Sequence, residues 1–175
     1  MSNGGVFNDS LLYHKIQNTE NFPEATCFPG RKVPVPYVFV ADAAFALSDR
    51  IMKPYPGVSP YGSQQRIFNQ HLSRARVVIE CTFGIMTSVF RVFEKPMLLQ
   101  PDKAAIITLT CVILHNFLKK SRTSRNMYVP KGTIERLIQE EQNLLLPLTQ
   151  TPRRPTEKAK RIRQEFAAYL YSLRH

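Results

Sequence analysis

Two carboxylates, Asp42 and Glu80, stand where side chains can do chemistry. Asp42 lies in segment 36–45, whose β-branched and aromatic residues predict a short buried strand that runs out at this carboxylate. A carboxylate buried without a partner costs several kcal/mol, roughly, so we expect Asp42 at a sheet edge that opens to solvent, ligand or metal. The alternative interpretation is that Asp42 caps the turn that follows.

Glu80 lies in the middle of a long helix that we predict over 64–93. The apolar residues of one face recur at helical spacing and predict burial: Phe68, Leu72, Ala75, Ile79, Phe83, Met86 and Phe90. The next stripe around the helix is polar or small: Asn69, Ser73, Arg76, Glu80, Gly84, Thr87 and Arg91. This narrow polar band predicts a cleft lined by these side chains, and the alternative is an ordinary solvent-facing surface.

Arg76 precedes Glu80 by one turn on this stripe. It is placed to orient the Glu80 carboxylate or to meet a phosphate, and a plain ion pair between the two is the alternative.

Two more helices complete the predicted frame. One begins at Pro101 and Asp102 and is apolar nearly all round, which predicts a central position. His115 and Asn116 near its end are either ligands or satisfied core and capping residues.

The last helix begins at Thr156, and its apolar face consists of Ala159, Ile162, Phe166, Tyr169 and Leu173. Its cations lie elsewhere and form either a phosphate-contacting or a solvated basic face: Lys158, Lys160, Arg161 and Arg163. Between these helices, Thr133 is expected to cap a short helix over 133–142.

The composition narrows the class of protein. A chain of 175 residues suits one domain, and its net charge of +11 favours polyanionic partners such as nucleic acid or acidic membrane. The three cysteines are far apart and lack zinc-site spacing, which favours a reducing, intracellular compartment over a disulfide framework. The longest apolar stretch, 104–118, is interrupted by polar residues, so we expect no membrane span.

Three ordered blocks resemble the catalytic domain of PIF/Harbinger-type transposases and of the nucleases derived from them. They read PYVFVADAAFALSDRIMKPYPG, FNQHLSRARVVIECTFGIMTSVFRVF and ITLTCVILHNFLKK. The opening NGGVFNDSLLYHKI and the closing IRQEFAAYL are also similar to segments of that family. The resemblance therefore spans almost the whole chain.

The resemblance implies an α/β fold, an RNase H-like sheet flanked by helices, here a single domain over 1–175 that is incomplete at its N-terminus and therefore helix-rich. The family binds two divalent metals, Mg²⁺ or Mn²⁺, with an Asp, Asp, Glu triad and cuts or transfers DNA strands. By position Asp42 resembles the second Asp and Glu80 the closing Glu, so both are implied catalytic and metal-binding residues, with Arg74 and Arg76 as DNA contacts. A nuclear location is implied, with the cytoplasm as the alternative.

The chain also departs from the family pattern. The first Asp of the triad lies on a strand upstream of the segment that begins at Met1, and Asn3 stands where relatives usually have another Asp. We therefore expect a transposase-derived nuclease domain that is inactive as this chain. The alternative is a domesticated, non-catalytic protein- or DNA-binding module that holds a Myb-like partner, as the family's transposases do.

Overall fold

The computed structural model describes residues 3–121, 123–129, 132 and 154–173. Contacts divide the chain into two compact units, which are described separately. The first includes described residues 3–76 and 154–173, and the second 77–121, 123–129 and 132. The single domain expected over 1–175 stays a prediction, and the short helix expected over 133–142 lies outside the described residues.

The chain is rich in helices, as expected. The helices are α1 (Asn3–Asn8), α2 (Leu11–Gln17), α3 (Gln64–Val89), α4 (Pro101–Lys120), α5 (Arg125–Tyr128) and α6 (Glu157–Ser172), with single 3₁₀ turns at Thr19–Asn21 and Arg91–Phe93. Two predicted starts are confirmed. Pro101 is the first residue of α4, and the Thr156 hydroxyl caps α6 by accepting a 3.1 Å bond from the Ala159 N–H.

Within the described ranges, the strands form two small sheets rather than the one sheet expected. Strands β1 (Thr26–Cys27) and β2 (Pro34–Val35) pair antiparallel, and β3 (Phe39–Val40) and β4 (Ile51–Met52) pair parallel. The strand predicted within segment 36–45, ending at Asp42, is thus shorter than expected, and the prediction that it is buried was wrong. Phe39 and Val40 are 43% and 41% exposed, because within the described residues β3 pairs with β4 alone.

The core of the first unit forms where α6 packs on the start of α3 and on β4. Its buried members are Leu47, Met52, Phe68, Leu72, Ala159, Ile162 and Ala167. At the rim, the Phe28 ring stacks on the Tyr169 ring with centroids 4.1 Å apart. Arg31 Nε and Nη2 donate to the two carboxylate oxygens of Glu165 at 2.6 and 2.7 Å. This bidentate pair ties α6 to the loop between β1 and β2.

Burial along α3 departs from the prediction in the middle of the helix. Phe68 and Leu72 are buried in the first unit and Met86 in the second, as the apolar stripe predicts. However, Ile79 and Phe83 are 50% and 57% exposed, because the described residues of the second unit place no element over them. The polar band beside them is half-buried at Arg76, Glu80 and Gly84.

Among the residues that the structure describes, helix α4 is not surrounded by other elements, although its apolar composition predicts a central position. Cys111 and His115 are its buried residues, while its outward stripe is 59–68% exposed: Ile106, Leu109, Ile113 and Phe117. An apolar helix becomes central only when other layers cover all its sides, and the described residues pack α5 against one side.

His115 is a satisfied core residue, one of the two alternatives for it. Its Nδ1 lies 2.7 Å from the Tyr128 hydroxyl, and both side chains are buried. Burial first, and then the charge of Lys119, lower the pKa of His115. The neutral ring is therefore the form that the fold accepts.

Cys27, Cys81 and Cys111 are all free thiols. Within the described ranges, no helix combines the length and the apolar character that crossing a bilayer requires.

The buried His115 predicts that the protein loses stability in mild acid. Because its pKa is lower in the folded than in the unfolded state, unfolding takes up a proton once the pH falls below about 6.5. The stabilisation is thus complete above that pH and declines as the pH falls towards the folded-state value. Unfolding midpoints of wild type should drop between about pH 7.5 and pH 5, and His115→Gln should flatten that drop. The exposed His14→Gln serves as control, and an equal pH response in wild type and His115→Gln would contradict the prediction.

Candidate functional site

The β3–β4 pair brings Asp42 and Lys53 to the same edge of a parallel sheet. The Ala41 N–H donates to the Met52 carbonyl at 2.9 Å, so both strands end together, β3 two residues before Asp42 and β4 directly before Lys53. The carboxyl ends of parallel strands are where α/β proteins place their ligands. Asp42 therefore has the edge position expected of it.

Asp42 also caps the turn that follows, which was the alternative interpretation. Its Oδ1 accepts a 2.8 Å bond from the Ala44 N–H, and its carbonyl accepts from the Phe45 N–H at 3.4 Å. The two interpretations are compatible, because the turn uses one carboxylate oxygen at the strand end.

Lys53 is a residue that the sequence reasoning missed. Its Nζ donates to the Ala43 carbonyl at 2.8 Å, inside the turn that Asp42 caps. Burial and then the charge of Arg163 lower the pKa of Lys53, while the charge of Asp42 opposes that shift. The ammonium is thus electrostatically coupled to both groups. The signal in the sequence was weak: a lysine directly after the apolar pair that forms β4.

Arg163 of α6 is not part of a solvated basic face. Its Nη1 donates to the Pro54 carbonyl at 3.3 Å, and its guanidinium carbon lies 3.9 Å from the centre of the Tyr55 ring. Burial lowers the pKa of Arg163 and raises that of Tyr55. Buried Nε of Arg163 has no hydrogen-bond acceptor in the part of the chain that the structure describes.

Asn69 of α3 holds the Tyr55 backbone in place. Its Oδ1 accepts from the Tyr55 N–H at 2.8 Å, and its Nδ2 donates to the Tyr55 carbonyl at 3.0 Å. The Phe68 ring meets the Tyr55 ring edge-on at 5.4 Å. Asn69 was assigned to the polar band of α3, and its role is to position the platform under Arg163.

Other predicted site residues lie further along α3. Arg74 is exposed, and Arg76 and Glu80 are half-buried one turn apart. Asp42, Arg74 and Arg76 belong to the first unit and Glu80 to the second. The pairing of Asp42 with Glu80 stays a prediction.

A family model described as DDE superfamily endonuclease matches residues 1–116. This match includes β3, β4, α3 and most of α4. The chain belongs to the DDE superfamily endonuclease family. No curated protein and no solved structure matches it.

DDE endonucleases generally use divalent metals, and the described residues of this chain bring together fewer ligands than such metals need. Among the described residues, no three or more His, Cys, Asp or Glu side chains are grouped so that they could hold a metal ion. The charge of Asp42 acts on Lys53, a cation rather than a further metal ligand. The described residues therefore do not fit a complete two-metal centre.

The Asn69 contacts predict a measurable loss of stability when they are removed. Asn69→Ala leaves the N–H and carbonyl of Tyr55 without partners, which should lower the free energy of unfolding by about 1–3 kcal/mol. Asn69→Asp keeps the acceptor and should cost less. The exposed neighbour Gln70→Ala should change it by less than about 0.5 kcal/mol. Denaturant titrations measure all three, and equal values for Asn69→Ala and Gln70→Ala would contradict this role.

Proposed function

We propose that this chain is the catalytic domain of a PIF/Harbinger-type, transposase-derived nuclease that acts on DNA phosphodiesters with divalent metal ions. The observation that carries the proposal is the family match, which spans both Asp42 and Glu80. The position of Asp42 at the carboxyl edge of parallel strands supports it. In this proposal the two small sheets are parts of an RNase H-like arrangement.

Asp42 and Glu80 are the proposed metal-binding carboxylates. Hard carboxylate oxygens are the ligands that Mg²⁺ and Mn²⁺ prefer. Two such residues are too few to hold two metal ions, and the described residues contain no larger group of ligands. We therefore propose that this chain by itself does not cleave DNA.

The charge of the chain supports DNA as the partner. A net charge of +11 favours phosphate contacts that are tolerant of sequence and weaken with salt. Exposed Arg74 and half-buried Arg76 are proposed contacts on α3. A nuclear location is part of the same proposal, because DNA is the substrate.

The metal proposal is tested by thermal unfolding with and without Mn²⁺. At ten times its dissociation constant the ion should stabilise wild type by about 1.4 kcal/mol. Asp42→Asn and Glu80→Gln should each shift far less, and Asp49→Asn, at a half-buried carboxylate that pairs with Lys158, should leave the metal shift unchanged. Equal shifts in every variant, or none up to millimolar Mn²⁺, would reject these ligands. In the same samples plasmid DNA should stay intact; nicking that Asp42→Asn abolishes would reject the proposed inactivity.

The second candidate function is a non-catalytic module that holds a Myb-like partner. The observation that favours it is the outward apolar stripe of α4, whose four residues are 59–68% exposed: Ile106, Leu109, Ile113 and Phe117. Exposed apolar groups at helical spacing are typical of a protein-binding face.

A double variant, Ile113→Glu with Phe117→Glu, tests this candidate. Because both side chains are already exposed, the variant should keep the wild-type unfolding midpoint but weaken binding of the Myb-like partner at least tenfold, roughly, by placing charges in an apolar contact. Val58→Glu, at a 97% exposed position of the other unit, is the control. Calorimetric titration measures the affinity. Unchanged partner affinity in the double variant would exclude this face. If wild type is a dimer and the double variant is a monomer, the face would instead be assigned to self-association.

A further inference from the structure

A cleft opens in the first unit between the start of α3 and the middle of α6. Its volume is about 570 Å³, which is within the usual range for ligand sites. The loop that follows β4 closes it with Tyr55 and Pro60. The other lining residues come from the two helices and the cap of α3: Ser63, Gln64, Gln65, Lys160, Arg163, Gln164 and Ala167.

The cleft presents positive groups and no carboxylate among its lining residues. Lys160 and Arg163 are its cations. The Lys160 Nζ donates to Glu157 Oε1 at 2.6 Å, in a pair that is largely exposed, so a bound anion competes with a weak partner. The Arg163 Nε is a buried donor that lacks an acceptor in the described part of the chain.

The start of α3 adds to this positive character. The Ser63 hydroxyl accepts from the Arg66 N–H at 3.3 Å, and the Ser63 carbonyl accepts from the Ile67 N–H at 3.0 Å. Gln64 and Gln65, the first two helical residues, line the cleft. The first turn has no acidic side chain, so the positive end of a 26-residue helix dipole is not neutralised locally.

The cleft suits a phosphate better than a base. The Arg163 guanidinium covers one face of the Tyr55 ring, and the Phe68 ring packs against Tyr55 in a T-shaped contact, so the face under Arg163 is not open to a stacking base. The remaining polar groups of the lining are short hydrogen-bonding side chains and cations, which match phosphate oxygens. Contacts of this kind are tolerant of sequence.

We propose that this cleft is a binding site for a backbone phosphate of DNA. Arg163 links it to the candidate site, because this guanidinium also acts on Lys53, and Lys53 on the turn of Asp42. The inference rests on the proposed function and adds the residues that hold the DNA backbone: Lys160, Arg163 and the first turn of α3.

The test is fluorescence anisotropy with a labelled duplex of random sequence. Lys160→Gln should weaken binding about five- to tenfold at about 100 mM salt and lower the slope of log K against log salt by about one. Arg161→Gln removes the same charge from an exposed position of α6 outside the lining and should change affinity less than about twofold.

A second pair of variants separates binding from folding. Gln64→Glu places a carboxylate at the positive end of α3, so it should hold or raise the unfolding midpoint while it weakens duplex binding at least fivefold, roughly. Gln70→Glu adds the same charge at an exposed position further along α3 and should leave affinity near that of wild type. Opposite effects on stability and binding are not expected of a merely structural role.

The possible failures are distinguishable. If wild type does not bind the duplex even at low salt, the proposed function fails along with the cleft. If wild type binds but each cleft variant matches its control, the cleft is rejected and the proposed function stands. A third outcome is that inorganic phosphate stabilises wild type but not Lys160→Gln, while both proteins bind the duplex with the same affinity. In that case the cleft holds a small phosphate ligand and the DNA assignment is wrong.

Discussion

One half-buried guanidinium, that of Arg163, links three segments of the first unit. Arg163 loses part of its hydration where it lies on the Tyr55 ring, and such a charge is tolerated only where dipoles and π-electrons replace the lost hydration. The Pro54 carbonyl and the ring do this, and Asn69 fixes the backbone that carries them. The β4 exit, the start of α3 and the middle of α6 therefore meet around this cation, above the apolar core that they share. The same cation keeps a donor for a ligand, since its Nε is not satisfied by the described chain.

What the sequence predicts well is local. Helical spacing identified α3, Pro101 marked the start of α4 and Thr156 the start of α6, because capping and periodicity act within a turn or two of the chain. The turn at Asp42 is equally local, since its carboxylate bonds to an N–H two residues on. Strand β4 was missed because two residues carry no periodic signal, and its parallel partner is recognised only in the fold.

The remaining differences come from contacts between distant segments. In the sequence Arg163 resembles the other cations of a basic helix, and no residue near it in the chain indicates that it will contact Tyr55. Likewise, the apolar character of α4 predicts burial only if enough other elements pack around it, which the described residues do not supply. On α3 the expected difference in burial is reversed, because the middle of its apolar stripe is more exposed than the polar Glu80 beside it. Sequence pattern thus indicates which faces can be buried, and the available partners decide which are.

The charges around Asp42 bear on which ligand its site prefers. Lys53 feels the charges of both Asp42 and Arg163, so a divalent cation that approaches Asp42 meets repulsion from Lys53 as well as attraction from the carboxylate. The same two cations attract a phosphate, and a bound phosphate would in turn offset the repulsion and supply oxygen ligands to a metal ion. For this chain we therefore expect binding of the DNA backbone and of divalent metal to favour each other, with the phosphate as the stronger of the two when each is alone. By linkage this effect is reciprocal. If the metal raises the affinity for DNA by some factor, DNA raises the affinity for the metal by the same factor.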